Sequence, residues 1–262
     1  MSLFNLEGRV ALVTGGGRGI GRGIAEGLAD HGAKVVVAAR TDAQTQETAE
    51  AIQAKGGEAA AVTLDISDMA SIQASVDETI ETFGQLDILV NNAGMNIREP
   101  LEEVTEAHYD QIAAVNQKGL FFLTQAAAKH MRPRGRGKII NIGSLTTGVG
   151  LASVSVYTGT KGAVGQLTKV HAVELAPEIQ VNAICPGFIL TPLTEKLWAN
   201  DSLRAWGEQR CANGRLGVPE DLAGTAVFLA SSASDYVTGQ LIYVDGGFMA
   251  GERGLGLGDA AG

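Results

Sequence analysis

Short apolar runs alternate with longer amphipathic stretches along most of the chain. Val10-Ala-Leu-Val13 is too short for a helix, is rich in β-formers, and runs straight into a glycine turn. Arg22 to His31 then carries Ile24, Ala25 and Leu28 at helical spacing with Gly32 as a stop, and Lys34 to Ala39 suits a strand buried on both faces. The alternation predicts a helix over Asp42 to Lys55, a strand over Ala59 to Asp65, a helix over Asp68 to Phe83 and a strand over Leu86 to Asn91. Beyond Pro100 it predicts one long helix from about Glu103 to Met131, a strand from Lys138 to Gly143, a helix from about Ser155 to Leu175 and a strand from Gln180 to Cys185. Pro186 to Leu216 breaks the rhythm with Pro, Gly and two Trp, and reads as an inserted lobe over about 188–216. Pro219 then opens a helix to Leu229, and Gln240 to Val244 supplies the last strand.

Strand alternating with helix predicts an α/β protein: a doubly wound, Rossmann-type parallel sheet of about seven strands with helices on both faces. Residues 1–250 then form a single domain that includes the lobe, and residues 251–262 a glycine-rich tail. In such sheets the ligand lies beyond the carboxyl ends of the strands.

Composition narrows the setting. The 262 residues are 45% hydrophobic and 19% charged, which excludes disorder, coiled coil and fibre. The 35 glycines exceed the average of roughly 7% and lack a collagen period, so backbone must approach something closely. A net charge of −9 offers no general attraction to nucleic acid or a membrane surface, and a phosphate polyanion would need a local site. Cys185 and Cys211 form no C-x-x-C, and His31, His108, His130 and His171 form no H-x-x-x-H, so neither a disulfide framework nor a metal site is expected. Met1 to Arg9 has no basic start or apolar h-region, and no run approaches 18 apolar residues, so a cytoplasmic protein is expected.

A glycine turn between the first strand and the first helix lets backbone N–H groups and the positive helix end hold a pyrophosphate. The spacing here is T-G-x-x-x-G-x-G, with Thr14, Gly15, Gly19 and Gly21 framing Gly17, Arg18 and Ile20; the literal G-x-G-x-x-G is absent. A turn with no ligand is the bland alternative. At the end of the second strand a carboxylate would accept from the 2′-hydroxyl of NAD, but Ala39 stands there, followed by Arg40. Arg40 and Arg18 favour NADP(H), with NAD(H) possible if Asp42 meets the ribose instead.

Tyr157-x-x-x-Lys161 is the second signal. Residues i and i+4 share one helix face, which places an ammonium beside a phenol and favours phenolate. Ser144 follows the fifth strand, where these sheets place their ligands, and its hydroxyl both gives and accepts a hydrogen bond. Each residue also has a dull reading: Ser144 as a cap, Asn116 as a polar helix position, Tyr157 as packing, Lys161 as a surface charge. Ser-His-Asp hydrolysis finds no support, since G-x-S-x-G is absent around Ser144.

From about Leu6 to Gly247 these motifs, in this order, resemble the short-chain dehydrogenases/reductases. Asn91-Asn92-Ala93-Gly94 looks like that family's N-N-A-G, and Asp245-Gly246-Gly247 like its usual ending. The resemblance implies that Asp65, with Ile66, meets the adenine, and that Pro186, Gly187 and Thr191 hold the nicotinamide. It implies that Ser144 orients the substrate oxygen, Tyr157 exchanges its proton, Lys161 tunes Tyr157 and binds the nicotinamide ribose, and Asn116 orders a water relay to Lys161. It also implies a homotetramer built through two long helices and the last strand.

The substrate is then a ketone or secondary alcohol, met by Met95 and Asn96, by Thr146 and Thr147 after Ser144, and by the lobe with Leu193, Leu197, Trp198 and Trp206. Pro219 to Met249 is similar to sugar-acid reductases such as gluconate 5-dehydrogenases, which makes a sugar acid or polyol the candidate. The alternative enzyme is a 3-oxoacyl carrier-protein reductase, whose acidic partner would dock on Arg132, Arg134, Arg136 and Lys138; a solvated turn is the simpler reading of those cations. The alternative of another class is a nucleotide-sensing binding protein without turnover.

Overall fold

The computed structural model describes residues 3–251. The apolar runs become β1 (Val10–Thr14), β2 (Lys34–Ala39), β3 (Ala59–Thr63), β4 (Ile88–Asn91), β5 (Gly137–Ile142), β6 (Ile179–Pro186) and β7 (Leu241–Val244). All pair in parallel, in the order β3-β2-β1-β4-β5-β6-β7. The order reverses between β1 and β4, which opens a crevice at their carboxyl ends.

The helices are α1 (Gly19–Asp30), α2 (Asp42–Ala54), α3 (Met69–Phe83), α4 (Glu106–Ala113), α5 (Leu120–Met131), α6 (Ser155–Glu174), α7 (Glu195–Trp198), α8 (Asp201–Arg210) and α9 (Ala223–Ala230). Strand alternation sends neighbouring residues to different layers. Ala11 and Val13 pack with Ile24, Leu28, Leu222 and Ala226 on the α1–α9 face. Leu12 and Leu89 pack with Val76, Leu123 and Met131 on the α3–α5 face. Both faces are covered, which is why the strands read as unbroken apolar runs. A buried polar relay stiffens the two strands that lead to the site. Asn91 Nδ2 donates to Thr124 Oγ1 and Asn141 Oδ1, and Asn141 Nδ2 donates to Thr168 Oγ1, each at 2.9 Å.

Three expectations change. The long helix from Glu103 is interrupted: α4 starts only after Thr105, whose hydroxyl caps the His108 N–H at 3.2 Å, and a π-helical turn over Ala114–Gly119 separates α4 from α5. That wide turn sits where Gly119 meets the chain after β3, since a Cβ on Gly119 would lie 2.3 Å from the Ile66 carbonyl oxygen. The helix after Pro219 begins as a 3₁₀ turn over Pro219–Leu222. The basic turn is exposed, as its solvated reading has it, but its cations are paired rather than free. Arg134 and Arg136 each approach the fully buried Asp87 carboxylate at 3.2 Å, Lys138 meets Asp235 at 2.8 Å, and Arg132 donates to the Glu174 carbonyl.

The lobe contains α7 and α8. Phe188 anchors it, with its ring 5.2 to 5.5 Å from those of Trp198, Trp206 and Phe248. Of the glycine-rich tail, residues 252–262 lie outside the described residues. No helix among the described residues is long and apolar enough to cross a membrane, and none of their His, Cys, Asp and Glu side chains group so as to hold a metal ion.

Candidate active site

The crevice at the β1–β4 switch is a cavity of about 310 Å³. The glycine turn forms its floor. Gly15 and Gly19 adopt positive φ of 62° and 55°, and a Cβ on Gly21 would lie 2.2 Å from the Gly15 carbonyl oxygen, so only glycine lets the turn fold under α1. Arg18 begins α1 without a side-chain cap, and the first turn of α1 holds no acidic residue, so its N–H groups stay open to an anion.

Thr14 does not line the cavity; it locks the turn in place. Its hydroxyl accepts from the Asn92 and Ala93 N–H groups at 3.0 Å each and donates to the Val90 carbonyl at 3.2 Å. Asn92 Nδ2 returns the bond, donating to the Thr14 carbonyl at 2.8 Å and the Gly15 carbonyl at 3.2 Å. The two motifs that stand far apart in sequence are therefore one rigid piece.

Around this floor the cavity wall brings together Gly15, Gly17, Arg18, Gly19, Ile20, Arg40, Asp65, Ile66, Asn92, Ala93, Gly94, Met95, Ser144, Tyr157, Lys161, Pro186, Gly187 and Thr191. Ser67 holds the Asp65 carboxylate below the usual range through its hydroxyl at 2.6 Å and its N–H at 2.9 Å, and the Arg40 charge adds to this. Asp42, the residue that would have met an NAD ribose, is instead hydrogen-bonded by the Thr63 hydroxyl and lies outside the cavity wall. Arg18 and Arg40 line the cavity and hold no ion pair among the described residues. A glycine cradle under an uncapped helix end, flanked by two unspent guanidiniums, fits a dinucleotide carrying an extra phosphate.

The second cluster lies where β5 meets α6. Ser144 and Tyr157 face the same cavity, and the Ser144 hydroxyl is near enough to the Tyr157 phenol to pull its titration down. Lys161, one helical turn on, is buried; its Nζ lies 5.7 Å from the Tyr157 ring centre and donates to the Ile142 carbonyl at 2.7 Å. Burial dominates the electrostatics, contrary to the expectation from spacing. It pushes the Tyr157 phenol above its ordinary value, against the Ser144 hydroxyl and the charge of Arg98, which pull it down. Burial also brings Lys161 down to about 8. The expected acidic phenol is thus not found: desolvation outweighs the neighbouring charges.

Asn116 occupies the π-helical turn, where its amide clamps Met95. Oδ1 accepts from the Met95 N–H at 2.8 Å, while Nδ2 donates to the Met95 carbonyl at 2.9 Å and to Thr160 Oγ1 at 3.2 Å. The Asn116 side chain thus positions the segment after N-N-A-G.

Several expected substrate contacts lie elsewhere. Trp198 is buried against Phe188 and does not line the cavity, and neither do Asn96 or Thr146; the Asn96 Oδ1 and Thr146 Oγ1 atoms are buried without a protein partner. Of the expected lobe residues Leu193 lines the wall, together with Ile189, Pro192 and Thr194, while Leu197 and Trp206 do not. Sequence reasoning missed Gln44 and Val115 on the wall, and Arg98, exposed and off the wall, whose charge lowers the Tyr157 phenol. A cation four residues after N-N-A-G was the available signal for Arg98.

Residues 15–249 match the family model described as enoyl-(acyl carrier protein) reductase. The chain is 42% identical over 246 residues to the gluconate 5-dehydrogenase of Gluconobacter oxydans, covering 94% of this chain and 96% of that one. It is 45% identical over 248 residues to the 2-dehydro-3-deoxy-D-gluconate 5-dehydrogenase of Bacillus subtilis, covering 94% and 97%. The crystal structure of a gluconate 5-dehydrogenase from Burkholderia cenocepacia, in complex with NADP and tartrate, superposes with a TM-score of 0.91 at 40% identity, covering 95% of this chain and 98% of that one.

The buried ammonium has a measurable consequence. The Lys161 amine titrates near its ordinary 10.5 in the unfolded chain and near 8 in the folded one. Below pH 8 both states are protonated, so folding bears the full cost of burying the charge; between 8 and 10.5 the folded state sheds its proton first, and above 10.5 the cost is gone. Lys161→Met should raise the stability of the cofactor-free protein at pH 7 by about 1–3 kcal/mol, with the gain shrinking as pH rises to 10.5. Urea unfolding at pH 7 and pH 10 reads this directly, and a gain independent of pH would rule it out.

Proposed function

The chain belongs to the short-chain dehydrogenase/reductase family, and from that premise we propose that it moves a hydride between NADP(H) and a secondary alcohol or ketone of a sugar acid. The observation that carries this reading is that Ser144, Tyr157 and Lys161 share the wall of one cavity with the glycine turn.

The glycine turn and the α1 N-terminus hold the pyrophosphate, Arg18 and Arg40 the 2′-phosphate, and Pro186, Gly187 and Thr191 the nicotinamide end. When bound, NADPH supplies the hydride. Ser144 orients the carbonyl oxygen, and Tyr157 gives it the phenolic proton, so that hydride and proton together turn C=O into CH–OH; oxidation reverses both transfers. A phenol held above its ordinary value stays protonated through the neutral range, the state a general acid needs for reduction. Lys161 spans from α6 to the Ile142 carbonyl and keeps this face of the helix against the end of β5.

Arg98 supports an anionic substrate. Its charge lowers the Tyr157 phenol from an exposed position outside the cavity wall, so it would draw a substrate carboxylate toward this end of the site. The Gluconobacter and Bacillus relatives are named for acids of this kind. The carrier-protein alternative loses its docking patch, because Arg134, Arg136 and Lys138 are spent on Asp87 and Asp235. A sensor without turnover would need neither the Ser144–Tyr157 pair nor a desolvated Lys161.

The assembly we propose is a cytoplasmic homotetramer, supported by Phe121, Val170 and Val173, which expose apolar surface on α5 and α6. Light scattering that returned a monomer would reject it. Tyr157→Phe should lose at least about 100-fold in turnover while still binding NADPH, followed as NADPH oxidation with a panel of keto acids and diketones. Activity close to wild type in that variant would remove Tyr157 from the chemistry. Arg98→Met should raise KM for a keto sugar acid by about tenfold or more and leave a neutral diketone unaffected; an equal change for both would assign Arg98 to the fold.

A further inference from the structure

We propose that Thr147 is a positioning residue that sets the Ser144 hydroxyl against Tyr157. The inference rests on the reading of Ser144 and Tyr157 given above. Thr147 was expected to offer a hydroxyl to the substrate, but its hydroxyl is fully engaged with protein. Oγ1 accepts from the Ser144 N–H at 3.1 Å and donates to the Lys161 carbonyl at 3.1 Å. One atom thus joins the loop that carries Ser144 to the backbone of the helix that carries Tyr157 and Lys161.

The surroundings are shaped to admit this side chain from both directions. A Cβ on Gly143 would lie 2.9 Å from Thr147 Oγ1 and 2.7 Å from Cys185 Sγ, and a Cβ on Gly165 would lie 2.7 Å from the Thr147 methyl. Glycine on β5's exit and glycine on α6 leave a slot the width of one threonine. The Cys185 thiol closes the inner side of the slot.

Within the loop, Ser144 and Thr147 form a reciprocal cap. The Ser144 hydroxyl accepts from the Thr146 N–H at 3.1 Å, while Thr147 takes the Ser144 N–H. Ser144 therefore has its backbone held by Thr147 and its hydroxyl held by the Thr146 N–H, on the cavity wall it shares with Tyr157. Without the Thr147 hydroxyl, the Ser144 N–H loses its acceptor and the 144–147 turn is free to rotate the Ser144 hydroxyl off the phenol. Tyr157 sits on α6 and does not follow that rotation.

The test compares Thr147→Ala with Thr147→Ser. Both leave the same methyl-sized gap against Gly165, and they differ only in the hydroxyl. With NADPH binding and thermal midpoint recorded for each, Thr147→Ser should keep kcat within about twofold of wild type, and Thr147→Ala should lose kcat by ~10-fold with KM for NADPH unchanged. Equal kcat in the two variants, or a loss in Thr147→Ala confined to KM, would overturn the assignment. If Thr147→Ala does not fold, Thr147→Val keeps the slot filled and should show the same loss of kcat, and wild-type kcat in it would equally overturn the proposal. Tyr157→Phe assayed alongside separates the two readings: turnover retained there sinks the Tyr157 mechanism itself, whatever Thr147 does.

Discussion

A buried ammonium with one backbone acceptor is the constraint around which the catalytic end of this molecule is arranged. Lys161 reaches from α6 to the Ile142 carbonyl at the end of β5, and burial alone brings it down to about 8. An isolated amine in that position would be costly, so the surrounding chain must make close approach worthwhile. Gly94 leaves room beside it, since even a Cβ there would come only to 3.7 Å from Nζ. Asn116 holds Met95, the residue after Gly94, by both backbone groups, which fixes the N-N-A-G turn at that distance. The π-helical turn is what places Asn116 in the helix at the position needed. Strain in the helix and cost at the amine are thus parts of one arrangement, and they lie where function needs rigidity.

Local patterns were legible in the sequence wherever a single element decides its own geometry. The strands declared themselves because both faces of the sheet are covered, and the glycine turn because glycine adopts the positive φ of Gly15 and Gly19 without strain. The Tyr157–Lys161 spacing gave a shared helix face for the same reason. What the pattern could not carry was anything set by a second segment. The break between α4 and α5 depends on where Gly119 meets Ile66, and Trp198 is withdrawn from the cavity by Phe188. Thr147, a plausible substrate contact by type, is consumed by Ser144 and Lys161 across fourteen residues of chain.

The phenol shows the same limit in energetic form. Spacing predicts that an ammonium one turn away favours phenolate, and in water the sign of that effect is secure. In the fold, Tyr157 and Lys161 lose solvent together, and desolvation penalises the charged form of each: the phenol rises and the amine falls. The groups that oppose the rise are the Ser144 hydroxyl and the Arg98 charge, not the lysine the spacing pointed to. Proximity is a sequence property; the dielectric that weighs it is not.

The cations divide in a way that explains how a chain of net charge −9 can receive anions at all. Beyond about 8 Å, salt screens exposed charges from one another, so the overall excess of carboxylates matters less than what lines the last few ångströms of the crevice. At the opposite, amino-terminal edge of β5, Arg134 and Arg136 share the Asp87 carboxylate and Lys138 pairs with Asp235. Arg18 and Arg40 stand at the carboxyl ends of β1 and β2 with no carboxylate paired to them among the described residues, and Arg98 acts on Tyr157 from the segment after β4. Arg18 and Arg40 thus put positive charge on the crevice at the side of the sheet where the strands end. That polarity, set by which end of the sheet a loop falls on, gives a phosphate at one end of the cavity and a carboxylate at the other a common reason to bind in one orientation.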